Sequence, residues 1–120
     1  MYVRDSILKS WRGGARIDAY NATWPFASLS LSEKILTLKV LFRGKFVFDR
    51  TQIDSLVTCR GTLPIVGRAT SGIGFVHNVV DYPERMIFWY FGNIYELARK
   101  LQTMGFGKKV VKGKLPLFFP

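Results

Sequence analysis

Apolar and polar side chains alternate with a period of two in the middle of the chain. Within 36–42 every even-numbered side chain is apolar, whereas Thr37 and Lys39 are polar. This alternation is typical of a β-strand with one face in the core. It resumes after Gly44, so residues 35–48 are predicted to form a hairpin that turns at this glycine.

The segment before this hairpin changes its register. Trp24 and Phe26 share one parity, whereas Leu29 and Leu31 share the other. A single strand through all four needs a β-bulge near Ala27, and a bulge bends the strand that contains it. The pattern therefore predicts a bent first strand.

Three further segments have strand character. Residues 53–60 and 72–77 are strand candidates, and residues 86–91 read Met-Ile-Phe-Trp-Tyr-Phe. A strand that is apolar on both faces is covered on both sides, so 86–91 is predicted to be a central or closing strand. About six or seven strands are therefore predicted within residues 24–106.

The period changes between residues 93 and 106, where apolar side chains recur three and four positions apart. Asn93 stands at the N-cap position with Glu96 three residues later, as in a capping box. Gly105 and Phe106 fit a Schellman ending. We predict one amphipathic helix that covers the open end of a bent sheet with Ile94, Leu97, Leu101 and Met104.

Four segments carry a resemblance to a known family. They are Trp24-Pro25-Phe26-Ala27-Ser28-Leu29, the strand 72–78, Asp81-Tyr82-Pro83 with Ile87-Phe88-Trp89, and Gly105-Phe106. Over 22–106 the chain resembles small uncharacterised bacterial proteins with a pleckstrin-homology-like barrel. The resemblance implies a mainly β fold, a bent antiparallel barrel of about seven strands capped by one C-terminal helix. The wider fold binds inositol phospholipid head groups, peptides or partner proteins. In the matching turn, Ser32-Glu33-Lys34, one Lys lies beside one Glu, so no stereospecific phosphoinositide site is expected.

The net charge of +10 is concentrated towards the ends of the chain, above all at its C-terminal end. The last 14 residues contain four lysines and no acidic side chain. The glycine pair Gly13-Gly14 is interpreted as the break after the N-terminal segment. We predict a basic N-terminal extension at 1–20, a pleckstrin-homology-like domain at 21–106 and a basic, aromatic tail at 107–120.

Both ends are predicted to bind a partner. A basic excess attracts anionic partners, and exposed aromatic residues at a chain end favour docking on another surface. Apolar residues between Tyr2 and Trp11 are spaced near a helical stripe, which predicts a short interfacial helix. The predicted partner-binding residues are Arg4, Lys9, Trp11, Arg12, Lys108, Lys109, Lys112, Lys114, Leu117, Phe118 and Phe119.

Little in the chain indicates chemistry. One cysteine, Cys59, and one histidine, His77, exclude an intramolecular disulfide and a zinc site built from His and Cys. The lone cysteine and the absence of a secretory signal predict a cytoplasmic protein. No phosphate-binding glycine motif occurs, and we expect neither a cofactor nor a metal.

These patterns favour a non-catalytic binding or adaptor module that docks on a protein assembly or on an acidic membrane surface. No small-molecule substrate is expected. Two alternatives remain open. Residues 71–76 partly match the RNA-recognition pattern, so the chain is alternatively a basic RNA-binding protein. A small enzyme that uses His77 as a base is the other alternative.

Overall fold

The computed structural model describes the backbone of residues 7–62 and 69–112 and the side chains of 7–59 and 71–111. Within these residues the chain forms eight strands and one helix. In chain order they are β1 (Ile7–Ile17), β2 (Tyr20–Ser32), β3 (Leu36–Val40), β4 (Gly44–Phe48), β5 (Ile53–Thr62), β6 (Ala69–His77), β7 (Met86–Tyr90), α1 (Ile94–Thr103) and β8 (Lys109–Lys112).

All eight strands belong to one curled sheet that forms a half-barrel, with the order β4-β3-β2-β1-β7-β6-β5-β8. Every neighbouring pair is antiparallel except β5 and β8, which are parallel. The concave face and the helix enclose the main core, whose largest fully buried side chains include Phe48, Phe75, Phe88 and Phe106. The predicted mainly β fold with a bent sheet and a single C-terminal helix is confirmed.

The predicted bulge in the first part of the chain lies in β2. Gly13 pairs with Ala27 and Ala15 pairs with Ala22, so residues 23–26 lie opposite Gly14 alone. The extra residues bend β2 and turn the side chains of this segment outwards.

The β3–β4 hairpin forms as predicted, with residues 41–43 in the turn and Gly44 at a φ of +88°. Glycine is favoured there because a side chain is strained at positive φ. One detail of the prediction is wrong. The alternation places Phe42 among the core residues, but the turn begins after Val40 and leaves Phe42 exposed.

Strand β7 is covered on both faces, as its composition predicts. Met86 and Phe88 belong to the main core, whereas Ile87 packs on the opposite face with Val57 and Cys59. Because β7 pairs with β1 on one side and β6 on the other, both of its edges are also hydrogen-bonded within the sheet.

The helix begins and ends where the sequence predicts. The Asn93 side-chain oxygen accepts hydrogen bonds from the N–H groups of Tyr95 and Glu96, at 3.0 and 3.2 Å. At the other end, Phe106 N–H donates to the Leu101 carbonyl and Gly105 N–H to the Gln102 carbonyl, both at 2.9 Å. These two bonds form a Schellman motif.

The sheet extends beyond the predicted domain limits of 21–106 at both ends. The predicted N-terminal helix is wrong, because Ile7–Ile17 is a strand between β2 and β7. Its apolar side chains also fit strand alternation, and pairing on both edges favours the extended form. At the other end, β8 runs along β5, with Val110 opposite Leu56.

A loop at 78–85 covers the outer edge of β4. The Tyr82 hydroxyl accepts a hydrogen bond from Val47 N–H at 3.0 Å and lies 3.3 Å from the Val47 carbonyl, to which it donates. The Tyr82 ring packs edge-on against Phe46 and Phe48. The loop thereby satisfies backbone groups that a sheet edge otherwise exposes.

Candidate binding surface

The outer face of strands β1–β4 carries a row of cations. The antiparallel register places Arg12 beside Ser28, Ser28 beside Lys39, and Lys39 beside Lys45. The three basic side chains are exposed, while Ser28 is half-buried between them. The neighbouring row contributes hydroxyl groups from Ser10, Ser30 and Thr37. We call this array of cations and hydroxyls the basic face.

The cations of the basic face have no acidic partner in the part of the chain that the structure describes. Among the described residues, no carboxylate forms a salt bridge with Arg12, Lys39 or Lys45. Arg12 instead donates to the Pro25 carbonyl at 3.1 Å. Like charges directly opposite in a sheet are destabilising, so the Lys39–Lys45 pair is an unfavourable arrangement that a bound anion would relieve.

Two grooves lie on this side of the molecule. One has a volume of about 430 Å³ and is lined by cations and by the apolar side chains of Phe26, Leu41 and Phe42. The other, of about 280 Å³, is lined mainly by hydroxyl groups and lysines. Ser28 and Lys39 line both grooves, so the two grooves meet at the basic face.

Residues 41–43, which we call the hairpin tip, are held firmly against the rest of the sheet. The Tyr20 hydroxyl donates to the Leu41 carbonyl at 2.9 Å, and Leu41 N–H donates to the Phe26 carbonyl at 3.0 Å. The Arg43 guanidinium lies 4.3 Å from the centre of the Tyr20 ring, within cation–π range. The tip is therefore a fixed part of the surface.

The structure separates the predicted partner-binding residues. Arg12 lies on the basic face, and Lys9 is exposed on the same strand with its Nζ 5.9 Å from the Trp11 ring. Trp11, predicted to contact a partner, is buried in the core because it alternates inwards on β1. Lys108 and Lys109 are exposed at the opposite edge of the sheet order. The remaining predicted side chains lie outside those described: Arg4, Lys112, Lys114, Leu117, Phe118 and Phe119.

Two features of this surface are not anticipated from the sequence: the pairing of Lys39 with Lys45, and the groove that brings Lys39 close to Phe26 and Phe42. A signal for the first pair was present. Once the hairpin turn is centred on residues 41–43, positions equally distant from it pair across β3 and β4, and this rule joins Lys39 to Lys45.

The RNA-recognition match at 71–76 forms part of β6. Phe75, the aromatic residue of that match, is almost fully buried in the main core. Such a side chain is not available to stack on a base. The Trp89 ring also lies over Gly72, where an added Cβ would come within 2.6 Å of the ring.

His77 organises the loop that follows it. Its Nδ1 accepts a hydrogen bond from Val79 N–H at 3.1 Å, so the neutral ring carries its proton on Nε2, 2.7 Å from the Pro83 carbonyl. The ring also packs against Phe48. Both nitrogens thus hold the 78–85 loop in place.

Cys59 is buried and packs as a small apolar residue with Val57 and Ile87. Burial raises the pKa of its thiol from 9.0 to about 11, because the thiolate would lose its hydration. The neutral thiol is a poor nucleophile.

We expect Cys59 to resist alkylation in the folded protein. A pKa two units above the ordinary value lowers the thiolate fraction at about pH 8 roughly a hundredfold, and burial restricts access further. Labelling with iodoacetamide, followed by mass spectrometry, should be slow in buffer and rapid in denaturant. Equally rapid labelling in both conditions would contradict the burial of this side chain.

Among the described residues, no group of three or more His, Cys, Asp and Glu side chains is placed to hold a metal ion. Within 7–62 and 69–112, no helix is both long enough and apolar enough to cross a membrane. Comparison with protein-family models, with curated proteins and with solved structures found no match.

Proposed function

We propose that this protein is a non-catalytic binding module that docks on an acidic membrane surface through its basic face. The observation that carries the proposal is the row of Arg12, Lys39 and Lys45, which face outwards and form no salt bridge with any carboxylate in the described part of the chain. A partner that supplies several anionic groups in one plane matches this row, and a bilayer rich in acidic lipids is such a partner.

We further propose a pleckstrin-homology-like fold for the chain. Support comes from the order of the first seven strands, 4-3-2-1-7-6-5, which are all antiparallel and precede a single C-terminal helix. In this proposal β8 is an addition at the edge of β5.

The expected attachment is weak and reversible. Each Lys or Arg near an anionic membrane contributes on the order of 1 kcal/mol at physiological salt, so the three cations together contribute about 3 kcal/mol. This attraction falls off within a Debye length of about 8 Å and weakens as salt is added. Binding through the basic face is therefore expected to depend on both lipid charge and ionic strength.

The test compares two double substitutions that remove the same charge. Lys39→Ser with Lys45→Ser should weaken co-sedimentation with phosphatidylserine-containing vesicles about tenfold or more at low salt, because two cations leave the basic face. Lys108→Ser with Lys109→Ser is the matched control at the opposite edge of the sheet. Vesicles of phosphatidylcholine alone should bind neither variant nor the wild type.

The outcomes separate the competing partners and surfaces. A larger loss of vesicle binding for the Lys108 and Lys109 substitutions would indicate that the C-terminal tail, and not the basic face, binds the membrane. Failure of the wild type to bind acidic vesicles would overturn the membrane proposal. Recovery of RNA or of a protein with the wild type, lost on substitution of Lys39 and Lys45, would instead assign that partner to the basic face.

A further inference from the structure

Phe42 occupies a backbone conformation that is unfavourable for its side chain. Arg43 N–H donates to the Val40 carbonyl at 3.0 Å and closes a four-residue turn in which Phe42 is the third residue, at a φ of +66°. A positive φ at this position favours glycine or asparagine, and a bulky residue there is strained.

The fold gains little from this side chain in return. Phe42 exposes 86% of its surface at the end of the hairpin. An aromatic residue that is both strained and exposed weakens the folded state without packing in the core, and such strain is typical of residues that serve an external contact.

Phe42 does not stand alone. Phe26 is 50% exposed and Leu41 is 43% exposed, and all three side chains line the same groove. The bond between Leu41 N–H and the Phe26 carbonyl fixes the hairpin tip beside β2. The three residues form one exposed apolar cluster, which we call the apolar tip.

Cations lie directly next to the apolar tip. Arg12 and Lys39 line the same groove, and Arg43 follows Phe42 in the chain. None of these three forms a salt bridge with a described carboxylate. An apolar cluster beside cations matches the boundary of an anionic bilayer, where acyl chains lie beneath charged head groups.

We propose that the apolar tip inserts into the acyl boundary of an anionic bilayer and fixes the orientation of the protein on it. This inference rests on the proposed function, since the basic face must first bring the protein to the membrane. The aliphatic side chain of Leu41 within the cluster favours hydrocarbon over a stacked nucleic-acid base, because stacking uses aromatic rings.

The decisive variant is Phe42→Asn. Asparagine tolerates a positive φ, so the urea midpoint of this variant should equal or exceed that of the wild type. Its partition onto phosphatidylserine-containing vesicles should fall about tenfold or more, because the apolar contact is lost. The loss should persist at high salt, where the contribution of the lysines is screened.

Val80→Asn provides the matched control. Val80 is 96% exposed and lies in the 78–85 loop, outside the groove-lining residues, so its substitution should leave vesicle binding within about twofold of the wild type. Equal vesicle binding by Phe42→Asn and the wild type would overturn the proposed insertion. In that case, a loss of binding on substitution of Lys39 and Lys45 would still support binding through the basic face. For Phe42→Asn, a urea midpoint well below that of the wild type would contradict the backbone strain inferred at Phe42.

The depth to which the apolar tip inserts into the bilayer is measured with Phe42→Trp, which keeps an aromatic side chain in the apolar tip. Vesicles should shift its emission to the blue, and lipids brominated on the acyl chain should quench it beyond the change shown by the wild type. A tryptophan that remains fully accessible to aqueous iodide would show that the tip lies outside the bilayer.

Discussion

Gly13→Ala is expected to destabilise the fold by on the order of 3 kcal/mol. A Cβ at this position would lie 2.0 Å from the backbone oxygen of Trp89 and 3.0 Å from an atom of the Phe88 ring. The oxygen belongs to β7, which pairs with β1 and with β6, so it cannot retreat without moving the centre of the sheet. Urea denaturation followed by tryptophan fluorescence measures the effect.

Ser10→Ala is the control for this substitution. Ser10 lies on the same strand but is exposed, and its replacement should change the free energy of unfolding by less than about 0.5 kcal/mol. Similar urea midpoints for Gly13→Ala and the wild type would show that β1 does not approach β7 as closely as the structure has it.

The same glycine shows where reasoning from sequence fails. Gly13-Gly14 is interpreted as a break between segments, because glycine is frequent in turns. In the structure the pair lies inside β1, and Gly14 pairs with Trp89 of a distant strand. A glycine that permits close approach and a glycine that permits a turn are identical in sequence, and only the partner strand distinguishes them.

Elements with local signals were predicted well. The helix is defined by its apolar period, by Asn93 at one end and by Gly105 at the other, and all three signals lie within residues 93–106. The β3–β4 hairpin is likewise specified by adjacent residues. In contrast, β8 has four residues and is held by parallel pairing with β5, which no local pattern of Lys109–Lys112 indicates.

The candidate site was only partly predictable for a related reason. Charge identified Arg12 as a binding residue, but the basic face requires Arg12, Lys39 and Lys45 to meet across four strands. Helical spacing of the N-terminal segment instead predicts Trp11 as part of the apolar stripe of an interfacial helix. In a strand, neighbours point to opposite faces, so Trp11 enters the core while Arg12 remains outside.

Leu101→Ala should cost about 2 to 5 kcal/mol of stability. Leu101 is fully buried on the inner face of α1 and belongs to the main core, together with Leu97. Truncation would remove buried methyl groups and leave a cavity that neighbouring strands cannot fill, since they are fixed by sheet pairing. Chemical denaturation should show a lower midpoint with an unchanged slope.

Arg99→Ala on the outer face of α1 tests whether this loss depends on burial rather than on helix propensity. Arg99 is exposed, and alanine is a better helix former than arginine, so the substitution should cost less than about 0.5 kcal/mol. Leu97→Ala should resemble Leu101→Ala, because both side chains face the same core. If Leu101→Ala and Arg99→Ala lowered the midpoint equally, the helix would not cover the half-barrel through this face. Binding to acidic vesicles, by contrast, should be unaffected by Arg99→Ala, because the basic face lies on β1–β4 and not on α1.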